Sequence, residues 1–250
     1  MNENFDAFDK YAMQFDMNEK MIEYKYNHSY RVVHQAEEIC RSLNMDTVER
    51  DLASNIALLH DIARFKQWTD YKTFHDEDSF DHGDMAVTIL FDEGKINDFI
   101  IDKDDYEVVK KAVANHNKYK VDTKGMNERE KLHCDIVRDA DKIDILYAFS
   151  TNRLLELKED DSEINPLIKE EFFKDKQVLS VESKTQNDRI VSLFGLVFDL
   201  NYEYSINRVL EEKYLEKMLD HLNNKKLFKP YIDEAIKYMK GRLKNDRKKI

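Results

Sequence analysis

A chain of 250 residues with only 5 glycines and 2 prolines has very few places at which it can turn sharply. Tight turns draw on glycine for positive φ and on proline for a preset φ. A β-sandwich or barrel needs turn signals roughly every 8–12 residues. The scarcity therefore excludes a many-stranded architecture and predicts an all-α chain with few connections. Apolar spacing agrees. Phe5, Phe8, Ala12 and Phe15 recur at helical intervals, as do Val32, Ala36, Ile39 and Leu43 in a predicted helix over residues 28–43. Asp46 is placed to cap the next helix, with Glu49 completing a capping-box-like start and Leu52, Ile56, Leu59 and Ala63 forming its apolar stripe.

Residues 67–81 are polar and aromatic and read as a loop. Asp81 then caps a helix through Met85, Ile89 and Leu90 that Gly94 stops. Further helices are predicted over about residues 104–117, 127–149, 186–222 and 231–244, with Pro230 at the start of the last. Residues 151–184 carry little pattern, and the basic tail Lys244–Lys249 is expected to fray. With no internal repeat or Pro/Gly/Ser-rich linker, the chain reads as one domain over 1–250.

A formal net charge of −11, from 40 basic and 51 acidic residues, argues against a partner such as a nucleic-acid polymer, which calls for a basic surface. It leaves room for a local pocket that takes one small phosphorylated molecule. Cys40 and Cys134 match neither a zinc spacing nor a disulfide framework and read as ordinary thiols. The longest apolar run, near Phe194–Phe198, is far short of the roughly 18 residues of a membrane span. The N-terminus MNENFDAFDK is acidic and amphipathic, unlike a signal peptide. These features predict a cytoplasmic protein with no membrane partner.

Seven of the eight histidines precede residue 134, and several stand beside aspartates. His28 lies in HSYRVV, His60 and Asp61 in LLHDIARF, His82 in DHGDMA, His116 in ANHNK and Asp141 in RDADKID. Adjacent side chains on a helix diverge by about 100°, yet both members of a His-Asp pair can reach an ion just outside the helix surface. Single ligands from facing helices can then close the site. Asp61 follows the apolar run Ile56–Leu59, where an ionised carboxylate needs a metal or another partner.

This ordered set, HxxRV, then HD followed by I-x-R, then H, H and D-A-D-x-x-D, resembles the HD-domain superfamily of metal-dependent phosphohydrolases. The strings HDIARFKQW and SFDHGDMAVTIL are similar to a subgroup of bacterial HD-domain proteins. The resemblance covers about residues 20–150. It implies an HD-domain helical bundle whose metal-site core is about 20–150, extended by C-terminal helices over about 151–250. Carried over residue by residue, it implies that His28, His60, Asp61 and Asp141 hold a first ion. His82 and His116 fall where binuclear members hold a second, with Asp61 bridging. His82 is also readable as a residue satisfied by the helix cap, and His116 as a helix-end histidine favoured by the dipole. No GYP-type segment follows His116, where NHNKYK stands, which argues against cyclic-dinucleotide hydrolysis of the HD-GYP kind.

The mixed His/Asp set suits Mn, Fe, Co or Ni, with Mg possible, as one or two ions. Arg64, one turn after Asp61, stands where many family members carry a lysine and is the first candidate to grip a phosphate. Arg31 and Lys142 are further substrate-binding candidates. Asp144, one turn beyond Asp141, is a candidate to orient a ligand or a water. His34, turned about 240° from His28, reads as a non-ligand. His75 reads as a loop residue, and His133 and His221 lack partners at useful spacing. Trp68, Tyr71, Phe74 and Phe80 read as loop packing or as the wall of a nucleotide pocket. The stripe of Leu193, Leu196, Leu200 and Tyr204 reads as core or as the face of a homodimer.

The expected activity is hydrolysis of a small phosphorylated molecule, a nucleotide first, by a metal-activated water attacking phosphorus, with Asp61, Arg64 and Asp144 at the reaction. Two alternatives stand beside it: a di-iron oxygenase of the HD fold, resembling myo-inositol oxygenase in its four His and two Asp, and a nucleotide-binding sensor with weak catalysis.

Overall fold

The computed structural model describes residues 3–178 and 182–246, and no strand is present among them. The last tail residues, 247–249, where fraying is expected, lie outside the described residues. The helices divide between two compact units, Met1–Asp141 and Lys142–Ile250.

The first unit is built around α2 (Lys20–Ser42) and α3 (Thr47–Leu59), which pack extensively against each other. Val32, Ala36 and Ile39 of α2 and Leu52, Ile56 and Leu59 of α3 are all almost or fully buried. Side chains of this size stabilise by roughly 1.5–3 kcal/mol each on full burial. The short α1 (Glu3–Ala12) packs on α3, and its Phe8 ring meets Phe65, beyond α3, edge-on at 5.8 Å. Asp46 caps α3 by accepting from the Glu49 backbone N–H at 3.0 Å. The Glu49 side chain does not close the box; it accepts from Arg129 and pairs with His133, both on α7 (Glu128–Thr151).

The helix read through Ala63 is two helices. α3 ends at Leu59, and α4 (Ala63–Tyr71) begins after a three-residue break, so His60 and Asp61 stand in the break. α4 also runs into the stretch expected to be loop, and Lys72 ends it at φ 54°. Asp81 caps α5 (His82–Val87) through the Asp84 N–H, as expected, and Gly94 at φ 77° closes the π-turn that follows. α5 packs on α6 (Tyr106–Asn115).

In the second unit, α8 (Pro166–Phe172) lies in the weakly patterned stretch, with Asn165 capping it and Pro166 in its first turn. The single helix expected over 186–222 is broken into α9 (Gln186–Phe194), α10 (Glu203–Glu211) and α11 (Tyr214–Asp220). Pro230 lies inside α12 (Lys225–Asp246), not at its start. Its ring removes one donor from the helix's second turn and ends nothing. Phe172, Phe194, Phe228 and Tyr231 join α8, α9 and α12 through ring contacts at 5.1 and 6.2 Å. No helix among the described residues is long and apolar enough to cross a membrane.

Candidate metal centre

The break between α3 and α4 lets two adjacent side chains face the same interior point. His60, the residue after α3, donates from Nδ1 to the Ala57 carbonyl at 2.6 Å, which directs its Nε2 away from the helix. Nε2 stands 3.5 Å from Asp61 Oδ2 and 3.7 Å from Asp141 Oδ1. His28 is fully buried in the middle of α2, with Nε2 3.4 Å from Asp61 Oδ2 and 3.2 Å from Asp141 Oδ1.

The other oxygen of Asp61 faces two more rings. His82, at the first position of α5, donates from Nδ1 to Asp76 Oδ2 at 2.6 Å. His116, just past α6, donates from Nδ1 to the Val113 carbonyl at 2.7 Å. Each Nε2 lies 3.5 Å from Asp61 Oδ1, and the two nitrogens lie 3.0 Å apart. The six residues that the family resemblance implies as ligands, His28, His60, Asp61, His82, His116 and Asp141, thus converge. Two overlapping groups, His28–His60–Asp141 and His60–Asp61–His116, hold their donor atoms within 4.8 Å of one another.

The electrostatics define the donors. Burial lowers the His82 pKa to about 3, with Arg64 adding to the effect and Asp76 opposing it, and burial also lowers His116. Both rings are therefore neutral near pH 7. A neutral ring that gives its Nδ1 proton to an acceptor carries a bare lone pair on Nε2. Two such lone pairs facing each other at 3.0 Å cannot hydrogen-bond, and His60 Nε2, also buried, has no hydrogen-bond partner either. Burial raises the Asp61 carboxyl, but the Lys25 ammonium at 2.6 Å outweighs it and holds the group well below the usual carboxylate range. The Asp141 carboxyl is likewise held well below the usual range against its own burial, with His28 the first of the groups that lower it. Four buried imidazole nitrogens converging on two carboxylates, with the far nitrogens of His60, His82 and His116 tied to carbonyls or a carboxylate, are the donor set a divalent ion takes.

Arg64 lies beside the cluster. Nη1 donates to the Phe74 carbonyl at 2.8 Å and pairs with Asp76 at 3.1 Å, while Nε faces Asp61 Oδ1 at 3.4 Å without a hydrogen-bond partner. Arg31 lies over the Tyr24 ring at 5.6 Å. Lys142 is buried and ion-paired with Asp199 at 2.8 Å, and Asp144 is buried one turn after Asp141 on α7. His34 and His75 are exposed, and His221 Nε2 bonds the Ser150 carbonyl. Trp68 packs on Phe74 and Tyr71 on Phe80.

Several participants escape a reading by residue type. Lys25 donates to Asp61 Oδ2 at 2.6 Å; its position one turn before His28 is the signal that marks it. Asp76 and Gln67 hold the loop after α4, with the Gln67 amide donating to Asp76, Ser79 and Phe80. Arg138, fully buried on α7, donates from Nη1 to the carbonyls of Asn115, His116 and Lys118 at 2.6, 3.2 and 2.7 Å. It thereby ties down the backbone that carries His116.

Residues 26–146 match the family model of the HD domain. No curated protein and no solved structure matches the chain at a significant level. The matched span begins two residues before His28 and ends five after Asp141, so it contains all six converging residues. HD domains bind divalent metals and are generally hydrolases. The match over residues 26–146, with the all-α fold, supports membership of the HD-domain superfamily.

Proposed function

We propose that the protein is a metal-dependent phosphohydrolase acting on a small phosphorylated molecule, with a nucleotide as the first substrate class to test. The observation that carries this reading is the convergence of four buried Nε2 atoms on Asp61 and Asp141. His28, His60, Asp61 and Asp141 are assigned to one divalent ion, and His82 and His116 to a second that Asp61 bridges. Such ions supply Lewis-acid polarisation of a phosphoryl oxygen and lower the pKa of water.

The chain's own residues do the rest. Asp61 presents one oxygen to each half of the cluster and, ionised, accepts without contributing a proton. Asp76 fixes the ring of His82, and the Ala57 and Val113 carbonyls fix those of His60 and His116. Arg64 Nε, unbonded and facing the Asp61 carboxylate, is the donor assigned to a substrate phosphate.

The test is a panel of phosphomonoesters, phosphodiesters and nucleotides offered to protein loaded with Mn²⁺, Fe²⁺, Co²⁺ or Ni²⁺. Turnover of at least one, lost in His60→Ala, is expected; no hydrolysis with any of these metals would refute the reading. Oxygen uptake by an anaerobically iron-loaded sample would point to the oxygenase chemistry of this fold instead.

A further inference from the structure

Lys25 makes the shortest polar contact of Asp61, yet it lies outside the His/Asp set. Its ammonium donates to Oδ2 at 2.6 Å from a buried side chain. The rings of Tyr24 and Phe74, at 5.7 and 5.3 Å from Nζ, help to hold it in place. The two oxygens of Asp61 are not equivalent. Oδ2 faces His28 and His60 at 3.4 and 3.5 Å, whereas Oδ1 faces His82 and His116, both at 3.5 Å. Lys25 acts on the first side alone. A carboxylate oxygen that accepts from an ammonium offers less to a second cation, and two cations on one buried oxygen repel. The same contact fixes the rotation of the carboxylate, which keeps Oδ1 aimed at the other two rings.

We propose that Lys25 is a positioning residue that grades the centre: by engaging Asp61 Oδ2 it loosens divalent-ion binding on the His28–His60–Asp141 side and keeps an ion there exchangeable. The proposal rests on the six residues being metal ligands; it does not depend on which reaction they serve. The charge on Lys25, more than its bulk, is the active feature, so its neutral and cationic replacements separate.

The experiment is a Mn²⁺ titration of the full chain, by calorimetry and electron paramagnetic resonance, in a His82→Ala background that isolates this side. Lys25→Gln and Lys25→Met are expected to bind Mn²⁺ about tenfold tighter than the parent, or more, and to show a larger Mn²⁺-induced rise in Tm. Lys25→Arg, which keeps the charge, should stay within about threefold of the parent. A purely structural lysine would make both neutral variants bind more weakly, and that result overturns the proposal, as does Lys25→Arg behaving like Lys25→Gln. Should Lys25→Met fail to fold, Lys25→Gln retains a hydrogen-bond donor and carries the comparison. Wild-type protein that binds no Mn²⁺ at all would sink the metal-centre reading itself, an outcome distinct from unchanged affinity across the lysine series.

Discussion

Asp61 is where most of the site's interactions meet. A buried carboxylate faces a large desolvation cost unless charge and hydrogen bonds offset it; here Lys25 and Arg64 supply the positive charge, and four imidazole nitrogens stand around it. The orientation of each ring depends on what its far nitrogen bonds. Asp76→Asn weakens the hold on His82 by replacing an ionised acceptor with a neutral amide. The expected effect is a roughly 10–100-fold loss of metal affinity on the His82–His116 side, the usual range when an outer partner of a ligand histidine is removed. Titration of a second equivalent of Mn²⁺ into the variant checks it; unchanged affinity would remove Asp76 from the account. His60→Ala should have the stronger effect, because His60 belongs to both donor groups, and tight binding of every ion should fall away with activity.

Helix packing determines whether those rings can meet. A Cβ on Gly83 would lie 2.6 Å from Asn117 Oδ1 and 3.2 Å from the Ala114 carbonyl, so a side chain there displaces Asn117 and crowds the backbone where α5 meets the end of α6. Gly83→Ala is expected to cost about 1–3 kcal/mol and to push His82 away from His116. Thermal melts and metal counts per chain would show both effects; full stability with two retained ions would refute the packing argument. Arg138→Met leaves the carbonyls at the end of α6 without their buried donor, a loss of about 1–3 kcal/mol for each group left unsatisfied. Chemical denaturation measures it, and an unchanged midpoint would mean that those carbonyls find other partners.

The same elements show how far the sequence could be read. Periodicity located the main helices, and the resemblance to the HD-domain superfamily, carried on residue type and order, located all six converging residues. The break after Leu59 carried no glycine or proline to announce it. Lys25 and Arg138 sit on well-predicted helices, but their roles depend on which groups arrive opposite them, and chain-local spacing does not record that. Asp76 belongs to a loop without periodicity, and its partner His82 is fixed only once Gln67 folds that loop back. Glu49 fitted a capping box by position; Arg129 and His133 on α7 outcompeted the backbone N–H for it.

For the molecule as a whole, the net charge of −11 describes the surface, while the interior holds neutral histidines. Burial lowers the pKa of His82 to about 3 and also depresses His116 and His133. Unfolded histidine titrates near 6.5, so below that pH the unfolded chain binds more protons than the folded one. Stability is therefore present above about pH 6.5 and is lost as pH falls toward 3, by about 1.4 kcal/mol per pH unit for each ring that must stay neutral. Depressed Asp61, Asp141 and Glu49 act in the same direction at lower pH, since their ionised forms are favoured by folding. Metal-free protein should accordingly show a Tm that falls steeply between pH 6.5 and 4; a flat profile would mean the rings accept protons in the folded state.

The most direct measurement of the central claim is metal analysis of protein purified without chelators, beside a His28→Ala, Asp141→Ala double variant. The account predicts one to two equivalents of a divalent transition metal per chain in the wild type, a marked rise in Tm on adding Mn²⁺ to stripped protein, and loss of both in the variant. Wild-type protein that carries no stoichiometric metal and shows no thermal shift with Mn²⁺, Fe²⁺, Co²⁺ or Ni²⁺ would contradict it.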